Sequence, residues 1–188
     1  SSLTVSGVST LSNSITTSGT QTYTGAVTLG ADTTLTTTNS QITFGNTVNS
    51  AASQARALTI SVGTNEAEFA GIIGGAANGA LGAIAITGAL DLNAAITSAA
   101  SLSVSLTSDL GANVTTSGTQ TYSGAVTLSG GARILTGTTI NTASTLAGGS
   151  NALTITGNAD IDGAITGVTN LSVSLTSDLG ANVTTSGT

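Results

Sequence analysis

LSVSLTSDLGANVTTSGT occupies residues 102–119 and returns letter for letter at residues 171–188, an offset of 69. The match continues upstream: Ile84, Ile86, Gly88, Asp91, Leu92, Ile96 and Leu102 fall on Leu153, Ile155, Gly157, Asp160, Ile161, Ile165 and Leu171. A second offset, of 99, overlies the first. ITTSGTQTYTGAVTL at 15–29 returns as VTTSGTQTYSGAVTL at 114–128, and the two differ only at Ile15/Val114 and Thr24/Ser123. LTVSGVSTLSNSITTSGT, starting at Leu3, aligns loosely with the segment from Leu102. The chain reads as an array: one module over about 3–101, a shorter one over 102–170, and a third over 171–188 that breaks off, as expected of a fragment of something longer. ALTIS at 57–61 resembles AIAIT at 83–87, so a local duplication is expected to hold much of the extra length of the first module.

Within the modules the local signal is strand. YTGAVTL, QITFG, ALTISV, AIAIT, LSVSLTS and ALTIT alternate apolar and hydroxyl residues with period two, and Gly, Asn and Asp punctuate them. In QITF, Ile42 and Phe44 face one side while Gln41 and Thr43 face the other. No stretch carries a sustained helical period with charged faces. Tandem sandwich domains would need about 100 residues each and a bulky core, and a sandwich cannot lose about a third of its strands and keep its register. A solenoid can, because each coil touches only its neighbours. The prediction is therefore all-β: residues 1–188 form a single segment of parallel β-helix, or β-solenoid, built from irregular repeats. Its coils are expected to take roughly 20–26 residues and to stack about 4.8 Å apart with Val, Ile, Leu and Ala inside. Tyr23 and Tyr122 are then expected at one angular position, four or five coils and about 20 Å apart, too distant to join one aromatic ladder.

Composition agrees with a narrow interior. The chain is 39% hydrophobic but only 2% aromatic, without Trp, Met, Cys, His or Pro. Ser and Thr make up about a third of it, and charged residues only 5%, against roughly 25% in ordinary soluble domains. Hydroxyls, amides and backbone must form the surface. Net charge is −6, and Arg56 and Arg133 are the only basic side chains, which argues against nucleic acid or an anionic bilayer as partner. A mean hydropathy of +0.38 and many β-branched residues oppose disorder. The absence of Cys excludes disulfides and thiolate metal sites. SSLTVSG has no basic n-region and no cleavable apolar segment, so if the protein is secreted its signal is expected outside this sequence. Phe69–Leu90 is uncharged and long enough to span a bilayer. Its Gly and Ala content, and its alignment with a strand repeat, argue against a transmembrane helix.

TSGTQTYTGAVTLGADTTL (17–35), followed by ITFGNTVNS (42–50) and ALTI (57–60), resembles the β-strand-repeat regions of very large secreted proteins of Gram-negative bacteria. These are similar to filamentous-haemagglutinin-type and autotransporter-type adhesins. The resemblance implies a right-handed β-helical stalk or fibre, outside the cell and without a cofactor. It covers essentially the whole chain, but its motifs are compositional and specify architecture more than role.

Catalysis finds few residue types to use. With no His, Cys or Lys and no G-x-S-x-G elbow, a nucleophile lacks an activating base. Paired carboxylates can still hydrolyse glycosides, and the candidate pairs are Glu66 with Glu68 and Asp160 with Asp162. Asp162 aligns with Asn93 of the other copy, which counts against a required acid there. Asp91, Asp109, Asp160, Asp162 and Asp178 are the candidates for calcium, yet the calcium-binding nonapeptide does not occur. They are expected to cap turns through their own backbone. N-x-[ST] sequons stand at Asn113, Asn170 and Asn182. Thr-rich strands such as TTLTTT (33–38) raise an ice-binding surface, but the threonine pairs recur irregularly. No catalytic, cofactor or metal site is assigned. The expected role is a structural, non-enzymatic segment of a long extracellular rod: a self-associating matrix or sheath fibre, or the stalk of an adhesin whose binding tip lies elsewhere.

Overall fold

Alternation decides which side chains turn inward. In the computed structural model, which describes residues 1–187, the strands bury every second residue, as in Thr33–Thr37 and Ile42–Phe44. Twenty strands and no helix are present among the described residues. All strand pairs are parallel, and pairing proceeds from each coil to the next through about ten coils. The chain is a β-solenoid.

Each coil has three sides. The first side runs Leu3–Val5, Gln21–Tyr23, Ile42–Phe44, then residues 67–69, 90–92, 108–110 and 126–128, and continues through Leu146, Ile165 and Val183. The second holds Ser9–Leu11, Val27–Leu29 and Val48–Ser50, then Ile73, Ile96, Val114, Leu135, Ile155 and Val173. The third holds Ile15, Leu35, Ile60, Ile86, Val104, Tyr122, Thr142, Ile161 and Leu179. The step between stacked residues varies along the rod. It is short where Leu3 pairs with Gln21, Leu90 with Ser108 and Ser108 with Val126, and long where Ile42 pairs with Ala67. The shortest coil falls below the expected range, with six residues to a side. ALTIS and AIAIT sit one directly above the other, Leu58 on Ile84 and Ile60 on Ile86, so the local duplication is one whole coil.

The short coil corrects the expected position of the tyrosines. Tyr23 lies on the first side, in file with Phe44, Phe69, Leu92, Leu110 and Leu128. Tyr122 lies on the third, in file with Val104 and Ile86. The two fifteen-residue copies are therefore one side out of phase, four and two-thirds coils apart. The 69-residue repeat is displaced in the same sense, Leu102 being on the third side and Leu171 on the second. Three sides of similar length make a corner sequence portable to any of the three corners.

Ile, Val, Leu and Ala fill the interior, and all four aromatics are buried with them. Tyr23, Phe44 and Phe69 stack on successive coils, with ring centroids 5.2 and 4.9 Å apart and planes within 13° and 4°. The uncharged run Phe69–Leu90 is apolar because its coil turns Phe69, Ile73, Leu81, Ile84 and Ile86 into this core. No helix among the described residues is long and apolar enough to cross a membrane.

Corners need close backbone approach. A Cβ on Gly25 would lie 2.3 Å from the Gly7 carbonyl, and one on Gly124 2.4 Å from that of Leu106, so each copy keeps its G-A-V where one coil rests on another. Gly88 and Gly157, related by the 69-residue repeat, have φ +145° and +144° and donate N–H to Ser105 Oγ and Ser174 Oγ at 3.0 and 2.9 Å.

Candidate functional site

Period two places the acids differently from the turn-capping expectation. Asp91, Asp109, Asp160 and Asp178 lie within strands, each flanked by inward residues, and face outward. Of the five candidates for calcium only Asp162 stands at a corner, just after Leu146–Ile161. The side chains that bond the backbone across corners are mainly asparagines. Asn39 Oδ1 accepts from Thr64 N (2.7 Å), Asn49 Oδ1 from Ala76 N (3.0 Å) and Asn113 Oδ1 from Ile134 N (2.9 Å), with Asp32 Oδ1 taking Ala57 N at 3.0 Å. These bonds carry the ladder around bends, and the asparagines do so without charge. All three sequon asparagines are exposed, and Asn113 is in addition engaged with the coil above.

The principal acidic cluster is on the first side. Glu66 and Glu68 point the same way from one strand, as the candidate pairing required, and Asp91 and Asp109 continue the file on the next two coils through the partners Glu68/Asp91 and Asp91/Asp109. Gln41 Nε2 donates to Glu66 Oε1 at 3.0 Å and Glu68 Oε2 at 3.1 Å, and Thr43 Oγ1 to Glu68 Oε2 at 3.2 Å. Ser129 Oγ donates to Asp109 Oδ1 at 2.5 Å. A shallow groove of about 270 Å³ runs along this file between Glu66, Asp91, Asp109, Thr107 and Thr127. Partial burial, then the charges of Asp91 and Glu68, raise the Glu66 carboxyl above its ordinary value. A carboxyl whose pKa is raised by neighbouring carboxylates has one element of an acid–base pair. No group of three or more acids among the described residues is arranged to hold a metal ion. A smaller file, Asp160 on Asp178, repeats the motif on the third side, where Asn141 Nδ2 donates to Asp160 Oδ2 at 3.3 Å. The sequence signal for both files was the equal spacing of Asp91 from Asp109 and of Asp160 from Asp178.

A buried polar cluster recurs with the repeated stretch, and sequence reasoning missed it. Gln21 Nε2 donates to Thr36 O (3.0 Å), Ile15 O (3.3 Å) and Thr17 Oγ1 (3.3 Å), and Tyr23 Oη donates to Gln21 Oε1 (2.9 Å). The second copy has the same bonds: Gln120 Nε2 to Thr136 O (2.8 Å), Val114 O (3.3 Å) and Thr116 Oγ1 (3.4 Å), and Tyr122 Oη to Gln120 Oε1 (3.0 Å). T-x-x-x-Q-x-Y thus encodes a clasp that satisfies inward polar groups at a corner. Arg133 is likewise buried, with Nε on Leu110 O (2.9 Å), Nη1 on Ala132 O (2.8 Å) and Nη2 on Ser129 O. One of only two basic side chains is therefore engaged by backbone carbonyls and not displayed. Threonines stack three deep at Thr4–Thr22–Thr43 and Thr115–Thr136–Thr156, on different sides, and in scattered pairs such as Thr10–Thr28, Thr16–Thr36 and Thr34–Thr59.

The fold and surface define a three-sided parallel β-solenoid with a hydroxyl-rich exterior. No family model matches the chain, and neither the curated proteins nor the solved structures contain a significant match to it.

Proposed function

We propose that the chain is a structural, non-catalytic segment of a long extracellular surface fibre or matrix filament, supplying reach, stiffness and self-association. The observation that carries this reading is the continuous parallel ladder, which ties each coil to those above and below while the exterior stays almost free of charge. Each coil templates the next, so added sequence becomes added length at about 4.8 Å per coil. Few like charges oppose side-by-side contact. The likeness of the repeats to those of large secreted Gram-negative surface proteins supports a place outside the cell. Cryo-electron microscopy of the material isolated from its source tests the proposal: continuous filaments with layers near ~4.8 Å are expected. Compact beads, or protein protected from external protease on intact cells, would contradict it.

A second reading is favoured by the groove beside Glu66, Asp91 and Asp109: attack on a polysaccharide by paired carboxylates, whose separation in retaining enzymes is about 5 Å. Release of reducing ends from a polysaccharide panel, lost in Glu66→Gln, would favour it over the inert rod.

A further inference from the structure

The three sides of the solenoid do not share the charge equally. Outward acids stand on the first side at Glu66, Glu68, Asp91 and Asp109, and on the third at Asp160 and Asp178. Among the described residues the stacked strands of the second side turn no charged side chain outward. Two outward files run along that side. One is rich in hydroxyls, with Thr10 on Thr28 and, further along, Thr115, Thr136 and Thr156. The other carries Val8, Ile72 and Ile134, which precede the inward residues Ser9, Ile73 and Leu135, and has Ala26 and Ala95 on the coils next to Val8 and Ile72. Ile72 and Ile134 are 43% and 44% exposed although both belong to inner coils, so their exposure follows from the side they face. Leu106, the other large aliphatic exposed on an inner coil, stands at the corner between Ile96–Val104 and Ser108–Leu110.

Resting on the self-association reading above, we infer that the second side is the face on which a second copy of the chain lies, rod beside rod and second side against second side. Charge selects it. The chain carries a net charge of −6, and contact through the first or third sides would bring the acidic files of two copies together, where juxtaposed like charges oppose binding. Contact through the second sides keeps both acidic files outside the interface. The area is sufficient: about nine coils at ~4.8 Å and about five residues at ~3.3 Å give roughly 700 Å² per copy, close to the ~800 Å² per partner of a stable interface. The relief suits it as well. Val8, Ile72 and Ile134 recur at every third coil, about 14 Å apart. Ala26 and Ala95 leave a gap beside the first two, so the ridges of one copy can enter the gaps of the other. The threonine file alongside borders these apolar contacts with hydroxyls that both donate and accept.

Side-by-side contact thickens the rod, and the cross-sectional radius of gyration from small-angle X-ray scattering reads thickness whether or not rods also grow end to end. For the full chain this radius is expected to rise with concentration. Thr115→Asp/Thr156→Asp, at two exposed positions, is expected to raise the concentration required about 100-fold, with the β-sheet circular dichroism unchanged. Ile72→Ser/Ile134→Ser, which adds no charge, is expected to raise it about tenfold. Thr22→Asp/Thr166→Asp on the first side and Thr59→Asp/Thr121→Asp on the third are expected to leave it where it is. Mixing Thr115→Asp/Thr156→Asp with Thr115→Lys/Thr156→Lys is expected to restore thickening, because second side meets second side.

Acidic and basic chains that do not pair would overturn the like-on-like contact. Thickening that survives both second-side pairs, or that is lost in the first-side or third-side variants instead, would overturn this face and leave self-association standing. Rods that lengthen at constant thickness would do the same. Rods of one copy's length and thickness at millimolar concentration would overturn the face and the self-association reading together. If such rods were retained on an insoluble polysaccharide and released by Thr115→Asp/Thr156→Asp, the face would belong to a carbohydrate and the proposal would equally fall.

Discussion

The two copies of the fifteen-residue stretch, 15–29 and 114–128, make the same clasp on different sides of the rod. Gln21 and Gln120 bond equivalent groups, and Gly25 and Gly124 rest on equivalent carbonyls. What differs is the neighbour in file: Tyr23 lies against Phe44, whereas Tyr122 sits between Val104 and Thr142. The difference teaches that the repeat specifies a corner and its buried polar bonds, while the side on which the corner falls follows from how many residues each intervening coil contains. Burial raises both tyrosine pKa values, Tyr23 to about 12 and Tyr122 further.

Phe44→Ala should separate the copies most. It removes the middle ring of the aromatic stack and is expected to cost about 4 kcal/mol, read as a lower urea midpoint, while lowering the pKa of Tyr23 and leaving that of Tyr122 unchanged. Gln120→Ala strands the Tyr122 hydroxyl and the Thr136 carbonyl in the middle of the rod, at about 3 kcal/mol. Gln21→Ala does the same near one end, so its damage should be confined to the first coils and appear as faster amide exchange there; equal global destabilisation would break the comparison. Gly25→Ala and Gly124→Ala force the same backbone shift, about 2 kcal/mol each, and unequal local distortion in the two would show that the corners are not equivalent. In alkaline solution the raised tyrosines contribute stability that is fully present below pH 10 and, for Tyr23, lost as pH rises through about 12. Tyrosinate absorbance should therefore appear together with loss of the β-sheet spectrum. The smallest effect is at Glu66, whose raised pKa favours its protonated form in the fold. Its contribution is present in acid and lost as pH rises through the raised value, so Glu66→Gln should stabilise by no more than ~0.5 kcal/mol at pH 7 and not at all in acid.

Much of the fold was legible because period two and exact repetition are local signals. Ile42 and Phe44 inward, Gln41 and Thr43 outward, required no knowledge of neighbours. Phase was not legible, because it accumulates coil lengths that vary: the steps from Gln21 to Ile42 and from Ile42 to Ala67 are longer than the step from Leu90 to Ser108. For the same reason Tyr23, Phe44 and Phe69 gave no sign of being one stack, and Glu66 and Glu68 no sign of sharing a file with Asp91 and Asp109. Glu66 with Glu68 could be paired from a single strand; their companions needed the register. The aspartates were misplaced at turns because Asp favours turns on average, whereas S-D-L, L-D-L and A-D-I hold it between two inward residues.

The short coil that sets this phase can be tested by closing disulfides in the Cys-free chain. Ser103 and Thr121 are outward partners on adjacent coils, at a Cα separation of about 5 Å that suits a disulfide. The account predicts that Ser103→Cys/Thr121→Cys oxidises readily within one chain, while Ser101→Cys/Thr121→Cys and Thr97→Cys/Thr121→Cys do not. Ready closure at Ser101 or Thr97 instead would mean a longer coil, take Tyr122 out of file with Val104, and contradict the account.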